Sequence, residues 1–320
     1  LLRISVSSYA NDFRLGAQEA PPSIVSIYLG KEIMAILEAI EKGEIYTSKK
    51  RDNFKVGLNV IPSFPCDTSD RNRTSPFAFT GNKFEFRMVG SSQSIASPNM
   101  ILNTIVAQAL KEFADELENF SVPSDHLNEL LVNTITKHKR VIFNGNSYSD
   151  KWNQEAKARG LHCFNSAVDA LNTSLEEKNI RLFETHGVLS KRELTSRYEI
   201  HLENYCKSVY VESKTFAEMI RNEILCSVSK YTKSLMDSIV MKERLKIDAY
   251  YESSILNDLS NLSNSLYENL DILERLIHDA HSSKDIKDRA EKFKSNVLAQ
   301  MQRTRTLVDE IEKNMPSDYW

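Results

Sequence analysis

The most regular pattern in the chain lies in its last third. Ile255, Leu259, Leu262, Leu266, Leu270, Leu273 and Ile277 recur at steps of four and three, and Ile286, Ala290, Phe293, Val297, Met301, Val308, Ile311 and Met315 do likewise with one place skipped. Such spacing draws one apolar stripe along each of two helices, and the polar stretch at 281–285 predicts the connection that makes them antiparallel. A third long helix is predicted from about Ser190, with Leu194, Tyr198, Leu202, Tyr205, Val209, Phe216, Met219, Ile220 and Ile224 along its seam. Stripes of this kind are satisfied by packing on one another as a helical bundle whose Lys-, Arg-, Glu- and Asn-rich flanks stay wet. An unfilled seam would also serve a docking arm for another subunit; packing within the chain is the reading adopted.

The first hundred residues are shorter in rhythm and richer in turns. Ile33, Met34, Leu37 and Ile40 recur at helical spacing up to Gly43, which is placed as a C-cap. Phe54, Val56, Leu58 and Val60 alternate as a strand over 54–61, and KFEFRM at 83–88 alternates as another. In the latter, Lys83, Glu85 and Arg87 share one face, while Phe84, Phe86 and Met88 share the other and are expected to face a core. RLGAQEAPP at 14–22 and DTSDRNRTSP at 67–76 read as loops. Ser97-Pro98 reads as an N-cap and first-turn proline of a helix running to Leu117 that should pack on the strands. A helix after Ser124 carries Leu127, Leu130, Leu131 and Ile135 and ends in the basic run at 137–140, whose charges suit a helix C-terminus. A loop at 143–150 supplies an N-cap for a short helix around Trp152, and 165–190 is poorly periodic. The fold class is therefore α+β, a partial sheet with helices followed by a C-terminal helical bundle.

Composition narrows the function more than the fold. With 41% apolar and 27% charged residues in 320, the chain is a folded one rather than a disordered one. Its 41 basic and 44 acidic side chains leave a net charge of -3, so no global field draws it to nucleic acid or to an anionic membrane, and neither is expected as a partner. Cys66, Cys163, Cys206 and Cys226 are scattered without metal-ligand spacing and read as free, mostly buried thiols in a reducing compartment. His278 and His281 lie three apart with no acid or cysteine to complete a site, and read as exposed helix-end residues. No apolar run approaches the ~18 residues of a bilayer span and no signal-peptide core opens the chain, so the cytoplasm is the expected location. The sequence starts without Met and is expected to be a piece of a longer protein.

Candidate chemistry centres on 83–88. Two-residue spacing on a strand puts Glu85 about 7 Å from each of Lys83 and Arg87. Taken alone, the trio is a solvated strand face with cross-strand ion pairs. The same segment also holds Arg14, Glu19, Arg71 and Arg73 beside turns. Loops set on a scaffold are where binding and catalytic groups concentrate, and forked arginines suit carboxylates and phosphates. A strand carboxylate suits a hard cation such as magnesium. Phosphoryl or carboxylate chemistry is the expectation.

The strings RLGAQEAPP, DRNRTSPFAFTGNKFEFRMVGS and SPNMILNTIVAQAL resemble the C-terminal half of a glutamine synthetase, and FNGNSYSDKWNQEAKARGL at 143–161 with SRYEIHLENYCKSVYVESKTFAEMIRNEIL at 196–225 resembles the long type III class in particular. The resemblance covers most of the chain. It implies a catalytic-domain part over 1–122, including part of the synthetase catalytic sheet, and a type III helical region with long antiparallel helices over 123–320. It implies a glutamate-ammonia ligase, in which ATP phosphorylates glutamate to γ-glutamyl phosphate and ammonia displaces the phosphate over Mg2+ or Mn2+. Glutamate, ammonia and ATP are then the small-molecule partners, and identical subunits in a ring the macromolecular ones. By similarity Glu85 is a metal ligand, Arg87 contacts substrate or the transferring phosphate, and Lys83 lies near ATP. Arg73 stabilises the phosphoryl group in flight, Arg14 holds the glutamate carboxylate, and Glu19 on a flap helps deprotonate ammonium. Two departures are visible. Ala78 stands where many shorter synthetases carry a second arginine, and the Arg14 to Glu19 interval is one residue shorter than theirs. The family's upstream half, with a β-grasp domain and paired metal-binding glutamates, is not in this sequence, so the piece alone is expected to be inactive. The competing expectations are a helical oligomerisation or interaction module, and another ligase of the same broad fold such as a γ-glutamyl-amine synthetase or a guanido kinase.

Overall fold

The computed structural model describes residues 1–8, 24–47, 53–54, 64–65, 74–90, 93–119 and 123–320, with the backbone alone at 53, 54, 64, 65 and 123–125. The described residues are mostly helical with a small three-stranded sheet, and they separate into two compact units, Leu1–Leu194 and Thr195–Trp320.

In the first unit a short helix α1 (Leu2–Ser5) precedes β1 (Ile27–Tyr28) and α2 (Gly30–Lys42). Gly43 ends α2 with φ +69°, the left-handed cap conformation that glycine adopts without a Cβ clash. Of the strand expected over 54–61, only its start is described, as β2 (Asn53–Phe54) paired antiparallel with β3 (Phe64–Pro65); residues 55–61 lie outside the described ones. β4 (Phe77–Phe79) runs parallel to β1 and antiparallel to β5 (Phe84–Phe86), giving the order β1-β4-β5.

Helices make the rest of this unit. α3 (Ala96–Leu117) starts one residue before the predicted Ser97, and Ser94 Oγ, rather than Ser97, accepts from the backbone N–H of Ala96. Its main neighbours are α1, α4 (Pro123–His138) and α7 (Glu177–Thr185) rather than the strands. Ile101 joins Ile180, Phe183, Leu189 and Leu194 in a buried cluster, whereas Val106 and Leu110 of the same predicted stripe face solvent. At the end of α4, Lys139 of the basic run bridges to Glu41 of α2 at 2.5 Å. Ser149 caps α5 (Asp150–Ala158) by accepting from Trp152 N–H, as the loop sequence predicts. Trp152 is buried with Ile24 and Ala156 and stacks on Phe143 at 3.8 Å. The poorly periodic 165–190 stretch holds two short helices, α6 (Ala167–Leu171) and α7. Ser166 caps α6 by accepting from Asp169 N–H, and its hydroxyl donates to Asp169 Oδ2 at 2.7 Å.

The second unit is the bundle. α8 (Lys191–Met219), a π-turn at Ile220–Ile224 and α9 (Leu225–Arg244) form one continuous rod, joined by a short turn to α10 (Tyr250–Ser282). α11 (Ile286–Lys292), a second π-turn at Phe293–Val297 and α12 (Leu298–Lys313) return along α10. Leu259, Leu266, Leu270, Leu273, Phe293, Val297 and Ile311 are sealed completely. Near the end of α8 Ile220 of the predicted seam is buried, but Met219 is exposed and Ser213 and Ala217 are buried as well. Beyond Ile220 the π-turn adds a residue to the turn and re-aims the stripe. The skipped place in the last stripe is Thr304, fully buried with its hydroxyl on Gln300 O.

Candidate functional site

The sheet brings three of the six predicted site residues onto one face. Gly81, with φ +95°, opens the tight turn between β4 and β5, and Thr80 N–H closes it on Lys83 O at 2.9 Å. That register sets Phe79 opposite Phe84, Ala78 opposite Glu85 and Phe77 opposite Phe86. Tyr28 of β1 lies beside Ala78, so Tyr28, Ala78 and Glu85 form one row across the sheet on one face. Lys83 and Arg87 flank Glu85 on that face by strand parity.

Arg87 grips one carboxylate oxygen of Glu85 twice, with Nε at 3.1 Å and NH2 at 2.8 Å from Oε2. The other oxygen, Oε1, meets Lys83 Nζ at 3.4 Å and accepts from the Thr80 hydroxyl at 3.3 Å. The Arg87 hydrogen bond, ahead of the charges nearby, holds the Glu85 carboxyl below the usual carboxylate range, although partial burial opposes it. Glu85 and Arg87 keep 35% and 24% of their side-chain surface open, so the pair is formed but reachable. Such an arrangement presents an anionic oxygen pair and two cationic groups to whatever approaches the face.

The opposite face is aromatic. Phe77 lies 5.4 Å from Phe84 and 5.8 Å, edge-on, from Phe86, and Phe79 lies 5.2 Å from Phe84. Met88 is buried as expected, but Phe84 is 53% exposed, because β5 is an edge strand of the described sheet and its first residue has a neighbour on one side only.

Arg14, Glu19 and Arg73, together with Arg71 and Cys66, lie outside the described residues. Thr80 was not singled out from the sequence. The signal for it was the Thr-Gly-Asn-Lys turn, which folds its first residue back beside the carboxylate of the returning strand. The departure at Ala78 has a packing correlate, since Ala78 is completely buried between Tyr28 and Glu85.

As a single hard oxygen ligand Glu85 fits a divalent cation. Among the described residues, however, no three His, Cys, Asp or Glu side chains gather to hold a metal. His281 stacks on Tyr210 at 4.3 Å instead of pairing with His278. Among the described residues Cys163, Cys206 and Cys226 form no disulfide; Cys226 is exposed, and burial pushes the Cys206 thiol up to about 11, leaving it unreactive at neutral pH. Among the described residues no helix is long and apolar enough to cross a membrane.

Comparison with known proteins points in one direction. Residues 126–243 match the family described as the glutamine synthetase C-terminal domain. A glutamine synthetase of Butyrivibrio fibrisolvens is 38% identical over 331 aligned positions that take in the whole chain and 46% of that relative. The type-3 glutamine synthetase of Dictyostelium discoideum is 36% identical over the whole chain and 45% of its own length. A glutamine synthetase of Bacteroides fragilis is 31% identical, over 46% of its length. Over its whole length the chain is thus similar to part of these glutamine synthetases. It spans slightly less than half the length of the curated relatives it matches. The part of their sequence that this chain matches therefore includes the Glu85 face and the helical bundle.

Proposed function

We propose that this chain supplies one wall of the active site of an ATP-dependent glutamate-ammonia ligase, working through γ-glutamyl phosphate. The observation that carries the reading is the partly exposed Glu85 carboxylate at the edge of the sheet, with Arg87 on one oxygen and Lys83 and Thr80 on the other. Transfer of a phosphoryl group between anions gains chiefly from fixed cations and positioning. In this reading Arg87 holds substrate or the transferring phosphate and Lys83 faces ATP. Arg73 stabilises the phosphoryl group, Arg14 holds the glutamate carboxylate, and Glu19 takes the ammonium proton and screens the acyl phosphate from water. Glu85 would be one ligand of Mg2+ or Mn2+, which when bound supplies neutralising charge at the phosphates. The remaining ligands would come from the upstream part of the longer protein. The match that begins at residue 126 supports a division of the chain near 122/123 into catalytic and helical regions. Cytoplasmic location and a homo-oligomeric ring are part of the same proposal.

The test uses the full-length protein. Glu85→Gln should lower glutamine formation from ATP, glutamate and ammonia by roughly 100-fold or more and weaken Mn2+ binding measured by calorimetry, with the oligomer unchanged on a sizing column. Unchanged turnover would favour a role confined to assembly. Profiling with ammonia, methylamine and creatine separates the synthetase from other ligases of the same broad fold. The isolated 320-residue chain should show no turnover above background in the same assay.

A further inference from the structure

The two oxygens of the Glu85 carboxylate are held by unlike partners. Both bonds from Arg87 fall on Oε2, whereas Oε1 meets Lys83 Nζ at 3.4 Å and the Thr80 hydroxyl at 3.3 Å. An ionised carboxylate has about four lone-pair sites, two on each oxygen, so Arg87 fills Oε2 while Oε1 is shared between an ammonium and a hydroxyl. The three partners differ in how firmly they are placed. Arg87 is only 24% exposed, and its guanidinium is a rigid fork set against the oxygen it holds. Thr80 is fixed by the turn, with its N–H on Lys83 O at 2.9 Å and Gly81 following at φ +95°, and its β-branched side chain is stiff at χ1. Lys83 is 66% exposed at the end of a flexible four-carbon stem, and water screens its pairing with Glu85.

We infer that Lys83 is a place-holding counter-ion on Oε1, the oxygen that Glu85 offers to a divalent cation, and that Thr80 is the positioning residue that keeps the carboxylate aimed when Lys83 leaves. The inference rests on the reading of Glu85 as a metal ligand, and adds which oxygen binds and which neighbours stay. Oε2 is closed by two N–H donors on a half-covered arginine. Oε1 opens at small cost, because Lys83 has only to swing its ammonium back into water. An ammonium and a divalent cation repel each other at the same oxygen, so Lys83 acts against cation binding. The Thr80 hydroxyl is neutral and adds no repulsion. It lies 3.3 Å from both Oε1 and Lys83 O, and a donor anchored to the turn in this way fixes the direction of a metal-ligating carboxylate. Two neighbours of one oxygen, at nearly the same distance, thus have opposite effects on the same ligand. Once off Oε1, the ammonium is free to meet an anion on the same face, which in the ligase reading is the nucleotide.

The experiment is calorimetric titration of Mn2+ into the full-length protein without nucleotide. Lys83→Met should bind Mn2+ about 3-fold more tightly than the parent, the scale of an exposed ion pair. Thr80→Val keeps the size of the side chain and the backbone closure of the turn, and should bind Mn2+ about 10-fold more weakly. Thr80→Ser restores the hydroxyl and should recover most of that loss. The thermal midpoint should be the same in all three variants, which a merely structural role for Thr80 would not allow. Mn2+ affinity that is unchanged or lower in Lys83→Met overturns the inference. So does a Thr80→Val variant that binds as tightly as the parent, or a Thr80→Ser variant as weak as Thr80→Val. If Thr80→Val disturbs the hairpin and lowers the midpoint, Lys83→Met, at an exposed position, still decides. Glu85→Gln separates the inference from the reading beneath it. Weaker Mn2+ binding in Glu85→Gln with no gain in Lys83→Met sinks the inference alone, and Mn2+ binding untouched by Glu85→Gln sinks both.

Discussion

Along α10, Leu259, Leu266, Leu270 and Leu273 lose all contact with solvent, and the charges of that helix stand on its outer faces in pairs such as Arg275–Asp271 and Arg221–Glu274. On β5, in the other unit, the order is reversed. The phenylalanine that leads the strand is half exposed, while Glu85 and Arg87 are partly covered and locked to each other at 2.8 Å. In the bundle, charge sits at the rim and free energy comes from burial; on the strand, a charged pair is held in defined geometry where it adds little to folding. A charged group held in position without a stabilising return is the mark of a site, whereas a charged group at a bundle rim is the ordinary consequence of keeping the core dry.

The contrast is broken most directly by cutting into the seam. Leu270→Ala removes a fully buried side chain between helices that cannot fully collapse, and should cost the helical unit about 3 kcal/mol in urea titrations followed by circular dichroism. A loss below about 1 kcal/mol would mean that the seam is not the main source of stability. The next test concerns the polar member of that seam. Gln300 is buried, and its amide donates to Asn269 Oδ1 at 2.8 Å and to Asn269 O at 3.2 Å. Gln300→Ala strands those acceptors and should cost about 1.5 kcal/mol. Replacing Gln300 and Asn269 together by leucine should recover most of that, since removing both partners leaves no orphan. A double variant as unstable as the single one would show that the pair fixes helix register beyond its hydrogen bonds.

Much of this was legible in the residues. The α10 and α12 stripes need only apolar side chains at helical steps, and the face shared by Lys83, Glu85 and Arg87 follows from strand parity alone. What escaped has identifiable causes. Ser213, Ala217, Gln300 and Thr304 are buried but small or polar, so a reading that counts large apolar residues passes over them. Helical spacing puts both Met219 and Ile220 on the α8 seam, but only Ile220 is buried, because the sequence does not display the place taken by Ala217 or the π-turn that begins at Ile220. α6 and α7, of five and nine residues, are too short for periodicity to declare, although the Ser166 N-cap marks the start of one. The packing of α3 against helices rather than strands is a tertiary choice that one amphipathic stripe does not specify. Arg14, Glu19 and Arg73 lie outside the described residues, so their place around Glu85 belongs to the proposed function alone.

A smaller effect is expected at Glu212, a charged residue inside the bundle that departs from the rim rule. Among the described residues its Oε2 is buried without a hydrogen-bond partner, and burial raises its pKa. A carboxyl whose folded pKa exceeds its unfolded value binds its proton more tightly when folded. Stability therefore falls as pH rises from the ordinary carboxylate range through the raised value, and the full penalty is present at neutral pH. Glu212→Gln should raise stability at pH 7 by about 1 kcal/mol, the lower end of the penalty for an unsatisfied buried acceptor. The gain should fade as the medium is acidified through that window in thermal melts. A gain that is independent of pH would tie the effect to packing instead of charge.

The smallest effect is the one on which the comparison turns. Glu85→Gln removes the charge that Arg87 and Lys83 grip but leaves a side chain of the same size at a partly exposed position. Exposed ion pairs are screened by water and lose side-chain entropy when they form, so the thermal midpoint of the chain should not move beyond measurement error. The pH profile should agree. The lowered Glu85 pKa means that any stabilisation from this pair is present above the ordinary carboxylate range and disappears only as acid carries the pH down through the folded value, so nothing should change between pH 6 and pH 8. If Glu85→Gln instead lowered the midpoint as far as Leu270→Ala does, the Arg87–Glu85 pair would be a structural clasp holding β5 to its sheet. The distinction drawn between a bundle organised by burial and a strand organised around a charged pair would then fail at its decisive residue.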